Sequence, residues 1–330
     1  MGAPLDPKTA AAYGAFVQAA YAMYNADPNN LTPAPQGIPE GYQLIAWIQM
    51  TDFVRDAAGP NFYGFLAQQS TPENVFVLAL RGTSNPIEWW DNFHATMVPF
   101  AQVPAAGNVA YGFERIYDTL EVVTVPAAGD VPRSLIQEGG FAQQISDVIQ
   151  RRQATRASAL SGDGPPVLPA TAALIVTGHS LGAALLTLYV LDNVTNYGIR
   201  SPLFCSFASP RVGDSAFVEA FNALGLTSWR IVNAPDIVPN LPPDVFGYRH
   251  VDVLSLFDST GKVQSTLSCA HSLETYLSLL DETLKPDPDC LPTPADAQLF
   301  AHALGTHHLM DSLYDRSISQ EPPPATGGVV

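Results

Sequence analysis

Leu174-Ile-Val-Thr-Gly-His-Ser-Leu-Gly-Ala-Ala-Leu-Leu-Thr-Leu188 opens as an apolar β run, stops at Gly178-His179-Ser180-Leu181-Gly182, and passes at once into small and apolar residues at helical spacing. Gly-x-Ser-x-Gly between a strand and a helix is the pattern of a nucleophile elbow. The turn forces the serine into a strained backbone conformation, and the two glycines leave the space that a Cβ would fill. The Ser180 hydroxyl is then exposed above the sheet. The helix starting at Leu181 aims its first N–H groups and its positive dipole end at the same spot, which suits a developing oxyanion. Ala172 to Thr177 reads as a buried parallel strand, and Ala183, Ala184, Leu185, Leu188 and Leu191 form the helix face that packs on it.

Upstream of the elbow, Tyr42–Phe53, Phe62–Gln68 and Asn74–Leu80 read as successive strands, the last an unbroken apolar run ending at Arg81-Gly82-Thr83. Tyr13, Phe16, Val17, Ala20, Tyr21 and Tyr24 recur at helical spacing, an amphipathic helix rather than a secretory signal. Tyr111–Leu120 reads as a helix, Glu121–Gly140 as a surface excursion, and Phe141 to Arg152 as a second helix. Downstream, Leu203–Ala208 and Ser228–Val232 are strands around a helix from Ser215 to Leu224. Gly247–Leu256 and Gly261–Leu267 are expected to pair as a hairpin, and a helix follows over Ser272–Leu280. This alternation predicts an α/β fold with a largely parallel central sheet and helices on both faces, residues 1–330 forming one domain with a Pro-rich extension over 281–330.

Fifteen Lys and Arg against 31 Asp and Glu leave a formal net charge of −16, which argues against nucleic acid as a partner. An anionic lipid surface would repel the chain as a whole, so contact with an oil–water interface has to come from an apolar patch. No apolar run approaches the length of about 18 residues that a bilayer span requires. Cys205 sits in an apolar strand run and reads as a buried thiol, whereas Cys269 and Cys290 flank a helix and a Pro-rich turn, a placement compatible with a bridge. No Cys/His spacing resembles a zinc site, so no metal is expected, and nothing in the pattern calls for a protein partner.

A serine is a weak nucleophile until a base takes its proton. Histidine has the right pKa for that, and a carboxylate must hold the imidazole in the correct tautomer. Asp236 follows a strand in the Pro-flanked loop Asn233-Ala-Pro-Asp-Ile-Val-Pro239, which suits the carboxylate; Asp214 is the alternative but reads as a helix cap. Five histidines follow: His250, His271, His302, His307 and His308. His250 lies within a strand pattern, and His271 opens a helix after the expected hairpin, where the base should be, with His308 the next candidate. Thr83, at the carboxyl end of a strand, is a candidate oxyanion donor beside the N–H of Leu181. Asn85 to Phe100, with Ile87, Trp89, Trp90, Phe93 and Met97, holds more large apolar surface than a loop needs, and reads either as core or as a lid over an acyl pocket.

Phe76-Val-Leu-Ala-Leu-Arg-Gly-Thr83, Val109 with Gly112-Phe113, Thr177-Gly-His-Ser-Leu-Gly-Ala183, Phe207-Ala-Ser-Pro-Arg-Val-Gly213, Trp229 to Pro239 and His271-Ser-Leu-Glu-Thr-Tyr-Leu277 together resemble the class 3, fungal-type triacylglycerol lipases over about 42–280. The resemblance implies an α/β-hydrolase fold and carboxyl-ester hydrolysis without metal or organic cofactor. It implies Ser180 as nucleophile, Asp236 as acid partner, His271 as base, Thr83 and Leu181 as the oxyanion hole, and a lid over about 84–100. A secreted enzyme is also implied, although this N-terminus carries no signal pattern. Ala110 departs from the histidine that relatives often carry before the Gly-Phe pair. Phospholipase A1, short-chain carboxylesterase and feruloyl-type esterase use the same triad, so they stand as alternatives, with a non-catalytic lipid-binding module as the rival from another class.

Overall fold

The computed structural model describes residues 4–51, 59–71, 74–83, 93–126, 130–161, 172–199, 203–251 and 253–293. Helix α1 (Pro7–Ala26) begins at Asp6, whose carboxylate accepts from the Thr9 N–H, and is followed by β1 (Tyr42–Met50), β2 (Asn61–Gln69) and β3 (Val75–Leu80). A small ribbon of β4 (Met97–Pro99) and β5 (Asn108–Ala110) leads to α2 (Tyr111–Tyr117), β6 (Glu121–Thr124), β7 (Arg133–Ser134) and α3 (Phe141–Ser161). Then come β8 (Ala173–His179), α4 (Leu181–Asn196), β9 (Leu203–Phe207), α5 (Ser215–Ala223), β10 (Thr227–Asn233), β11 (Leu254–Phe257), α6 (Leu267–His271) and α7 (Leu273–Leu280).

Nine strands form one sheet in the order β11-β10-β9-β8-β3-β2-β1-β6-β7. From β3 to β11 the pairings are parallel. From β3 through β2, β1 and β6 to β7 they are antiparallel. The division follows from the connections. A parallel neighbour needs a crossover of about a dozen residues or more, usually a helix, and α4 and α5 supply it for β8–β9 and β9–β10, while longer excursions join β3 to β8 and β10 to β11; the short links between β1, β2 and β3 permit only reversal.

Both faces of the sheet are covered, which is why β3 reads as an unbroken apolar run rather than an alternating one. Phe76, Leu78 and Leu80 face the cluster built with Phe113, Ile145, Leu185 and Leu188, while Val77 and Ala79 face the cluster built with Phe16, Ala20 and Met23 of α1. Further along that second face, α1 and α7 pack together over β9 and β10 through Val17, Phe207, Ile231, Tyr276 and Leu277.

Two expectations give way. Glu121–Gly140 is not wholly a surface excursion, since Glu121–Thr124 adds to β1 as β6 with Val122 fully buried. A strand of two apolar residues is too short to show a period. The hairpin between 247–256 and 261–267 does not form either: Leu254–Phe257 pairs in parallel with β10, and the following segment turns. Asn233 at the end of β10 captures it, accepting from Ser259 N at 2.9 Å while its amide donates to Ser259 Oγ and to the Ala270 carbonyl, each at 2.8 Å. Thr266 then caps α6 through the Cys269 N–H, and a Cys269–Cys290 disulfide closes the loop. Cys205 is a buried thiol, its pKa raised by burial.

Candidate active site

Ser180 stands between β8 and α4 with φ 54° and ψ −123°, a backbone conformation sterically costly for an L-residue. It is held there from both sides: its N–H donates to the Phe207 carbonyl at 2.9 Å, and its carbonyl accepts from Ala184 N at 3.1 Å. A Cβ on Gly178 would stand 3.0 Å from Ala183 N, and one on Gly182 only 2.3 Å from the Arg81 carbonyl oxygen. Glycine at both positions therefore lets the elbow close against α4 and against the end of β3.

Two loops from other strands reach this serine. Asp236 lies in the turn after β10, closed by its N–H donating to Asn233 O at 3.0 Å, and its side chain is almost wholly buried. Its Oδ1 accepts from Val238 N at 3.0 Å, and its Oδ2 accepts from His271 Nδ1 at 2.8 Å and from the Tyr276 hydroxyl at 2.7 Å. His271 ends α6 with its Nε2 2.9 Å from Ser180 Oγ. A carboxylate can only accept, so Nδ1 carries the proton and the lone pair of Nε2 faces the serine hydroxyl. Chemically this places a proton acceptor on a nucleophile, with a negative charge behind it to stabilise the imidazolium.

Tyr276 was not among the expected residues. Its hydroxyl also accepts from Asn233 N at 3.1 Å, and burial with Asp236 beside it raises its pKa well above the usual phenol value, so it remains a donor to the carboxylate. Only its place on α7, five residues beyond His271, hinted at this. Asn233 was missed for the same reason: its partners Ser259 and Ala270 come from a segment whose path the sequence pattern misstated.

Thr83 follows β3 and is largely buried, and its Oγ1 has no partner among the described residues. The neighbouring Gly82 is so close to the elbow that a Cβ on it would be 2.9 Å from Ser180 Cβ. Leu181 opens α4, and the first N–H groups of a helix have no partner within it. Of the expected lid residues, Ile87, Trp89 and Trp90 lie outside the described residues, as do His302, His307 and His308. Phe93 packs against Phe113 with ring centroids 4.5 Å apart and the rings tilted by 43°, and Met97 sits opposite Ala110 in the β4–β5 ribbon. Asp214 caps α5 by accepting from Phe217 N. His250 lies in a loop, not a strand, and donates to the Pro239 carbonyl; burial and the nearby Arg230 lower its pKa to about 3.

Residues 77–246 match the family model described as Lipase (class 3). Phospholipase A1-II 4 of Oryza sativa subsp. japonica is 34% identical over 210 residues, covering 61% of this chain and 49% of that protein. Phospholipase A(1) DAD1, chloroplastic, of Arabidopsis thaliana is 26% identical over 82% of this chain and 70% of its own length. The chain thus spans about half the length of the first of these relatives. Among solved structures, lipase II from Rhizopus niveus superposes with a TM-score of 0.53 at 22% identity, covering 76% of this chain and 80% of that one. The Rhizomucor miehei lipase propeptide complex gives 0.55 at 21% identity, covering 85% and 80%. At this identity the likeness speaks for the fold, that of the α/β-hydrolases.

Proposed function

The chain belongs to the class 3 lipase family, and from that premise we propose that it is a serine carboxyl-ester hydrolase acting on acyl glycerolipids. The observation that carries the reading is the hydrogen-bonded series from Ser180 Oγ through His271 to Asp236, at 2.9 and 2.8 Å. As Ser180 Oγ attacks the ester carbonyl, its proton passes to His271 Nε2, and the imidazolium is stabilised by the Asp236 carboxylate. The tetrahedral oxyanion is held by the N–H groups of Thr83 and Leu181, with the Thr83 hydroxyl, unpartnered among the described residues, as a third donor. His271 then protonates the leaving alkoxide, and water repeats the sequence on the acyl-enzyme. No step in this scheme uses a metal or an organic cofactor.

Triacylglycerol is the first reading of the substrate, resting on the apolar segment 84–100 as a lid that would shield an acyl pocket at an oil–water interface. Phospholipid is the second, favoured by the names of the two plant relatives. Residues 1–330 are read as one domain, supported by α1 packing on α7 from the other end of the described chain. Secretion is the compartment that the Cys269–Cys290 disulfide fits, and among the described residues no helix is long and apolar enough to cross a membrane.

Tributyrin emulsion, phosphatidylcholine vesicles, p-nitrophenyl esters and methyl ferulate, assayed side by side with fluorophosphonate labelling of Ser180, test the reading. Labelling with a rate that jumps past the tributyrin solubility limit supports the triacylglycerol assignment, and preference for phosphatidylcholine replaces it with the phospholipase. Absence of labelling in the folded protein removes ester hydrolysis altogether and leaves a lipid-binding role.

A further inference from the structure

Helix α1 touches the site through two side chains that the mechanism above does not use. The Tyr21 hydroxyl lies 2.8 Å from Gly82 N and 2.8 Å from His179 Nδ1, and His179 Nε2 lies 2.8 Å from the His271 carbonyl oxygen. Each direction is forced. The His271 carbonyl only accepts, so Nε2 of His179 carries its proton. His179 is neutral, because burial and the adjacent His271 hold its pKa well below the ordinary value, so its Nδ1 is an acceptor. Tyr21 must therefore donate to Nδ1, and its oxygen must accept from the Gly82 N–H. The result is one unbroken line from the Gly82 N–H, one peptide before that of Thr83, to the backbone of His271.

The other side of Gly82 is held as well. Arg81 Nη1 donates to the Gly82 carbonyl at 2.8 Å, while its Nε and Nη2 donate to the Phe62 carbonyl at 3.1 and 2.9 Å. The guanidinium carbon lies 3.6 Å from the ring centroid of Tyr24 on α1 and 4.4 Å from that of Tyr63 on β2. In a trans peptide the N–H points opposite the carbonyl, so fixing Gly82 O also fixes the direction of the Thr83 N–H. Only glycine fits between these restraints: a Cβ on Gly82 would stand 2.6 Å from the Tyr21 hydroxyl, 2.9 Å from Ser180 Cβ and 3.1 Å from the His179 carbonyl oxygen.

We propose that Tyr21 is a positioning residue for ester hydrolysis, coupling the segment Arg81-Gly82-Thr83 after β3 to the end of α6 through His179, with Tyr24 and Arg81 fixing the same segment from its other side. The proposal rests on the hydrolase reading, in that the groups it aligns are the oxyanion donor Thr83 and the base His271. The Tyr21 hydroxyl is committed to Gly82 and His179, and the Tyr24 ring to Arg81. Their effect is to keep the Thr83 N–H and the His271 ring at a fixed separation, so that the donor is already aimed where charge develops.

Tyr21→Phe removes one oxygen and no ring, so it tests the coupling with little change of volume. Expected is a fall in kcat on a soluble p-nitrophenyl ester of about 10–100-fold with KM within about threefold. Affinity for a boronic acid that forms a tetrahedral adduct on Ser180 should fall by the same factor as kcat/KM. Tyr24→Leu, which takes the ring from Arg81, is expected to lower kcat about 3–10-fold in the same direction. A Tyr21→Phe kcat within twofold of wild type at unchanged Tm overturns the proposal, and so does a fall in kcat that boronate affinity does not follow. Should the wild-type protein hydrolyse no ester, the hydrolase reading fails by itself, and the line is then judged by 15N NMR of His179 in the wild type. A neutral ring protonated at Nε2 throughout pH 5–8 supports it, and the Nδ1–H tautomer or a ring that titrates in that range overturns it.

Discussion

From β3 to β11 the strands run parallel, and the residues gathered in the site leave their carboxyl ends: Thr83 after β3, Ser180 after β8, Asp236 after β10, and His271 from the helix that follows β11. From β2 to β7 the strands alternate in direction, and none of those residues lies there. The antiparallel half is no less well buried, with Ile48, Phe62, Phe65, Leu66 and Val122 at 0–1% exposure. What separates the halves is where their loops emerge. Parallel strands deliver every carboxyl end to one edge, so several loops meet above the same point, whereas alternating strands send successive loops to opposite edges. One half is thus a device for convergence and the other a wall for the core.

Substitutions should separate the two halves, most severely at the serine. Ser180→Ala should lower ester hydrolysis by about 10⁶-fold with Tm within a few degrees, and a residual rate above about one per cent would move the chemistry elsewhere. Ile48→Ala in β1 should do the opposite. It opens a cavity costing about 2–5 kcal/mol by urea unfolding, while kcat per folded molecule stays unchanged; a proportional loss of kcat would show that the wall is not chemically silent. Removing the bridge with Cys269→Ser and Cys290→Ser should cost about 3 kcal/mol. Because Cys269 is on the helix that ends at His271, activity should disappear at lower urea than the far-UV signal of the sheet.

The loops over the parallel half should also be the more sensitive to acid. His250 has a pKa of about 3 when folded, against about 6.5 in the unfolded chain. The unfolded chain takes up a proton that the folded one refuses, so the group's contribution is whole above pH 6.5 and is lost as the pH falls towards 3, at up to about 1.4 kcal/mol per unit. His250→Gln keeps a donor for the Pro239 carbonyl and should retain about 2 kcal/mol that the wild type loses by pH 5, measured as the difference in unfolding free energy. An unchanged pH slope would count against it. The smallest of these effects is expected at Tyr276→Phe, which leaves Asp236 with His271 and Val238 as donors. A fall of about tenfold in kcat/KM is expected, with the acid limb of the pH–rate profile displaced. Identical profiles would make the tyrosine a packing residue.

What could be read from the sequence was local. The elbow needs only five neighbouring residues to state its turn, and the unbroken apolar runs of β3 and β8 report burial on both faces without reference to any partner. Asp236 was legible because a rigid Pro-flanked loop after a strand is itself a short-range feature. Tyr21, Tyr276 and Asn233 were not, because a helix face or a strand end carries no mark of which polar atom will meet it across the fold. The antiparallel turn of the sheet at β2 and the parallel pairing of β11 were likewise settled by connection length and by Asn233 drawing the chain around it. Residue order alone was therefore enough for the buried strands β3 and β8, the helix after the elbow and the strained serine, but not for β6 or β11. Only the tertiary structure decided which donors face which acceptors, since a hydrogen bond depends on a direction and a distance of about 3 Å that no one-dimensional spacing encodes.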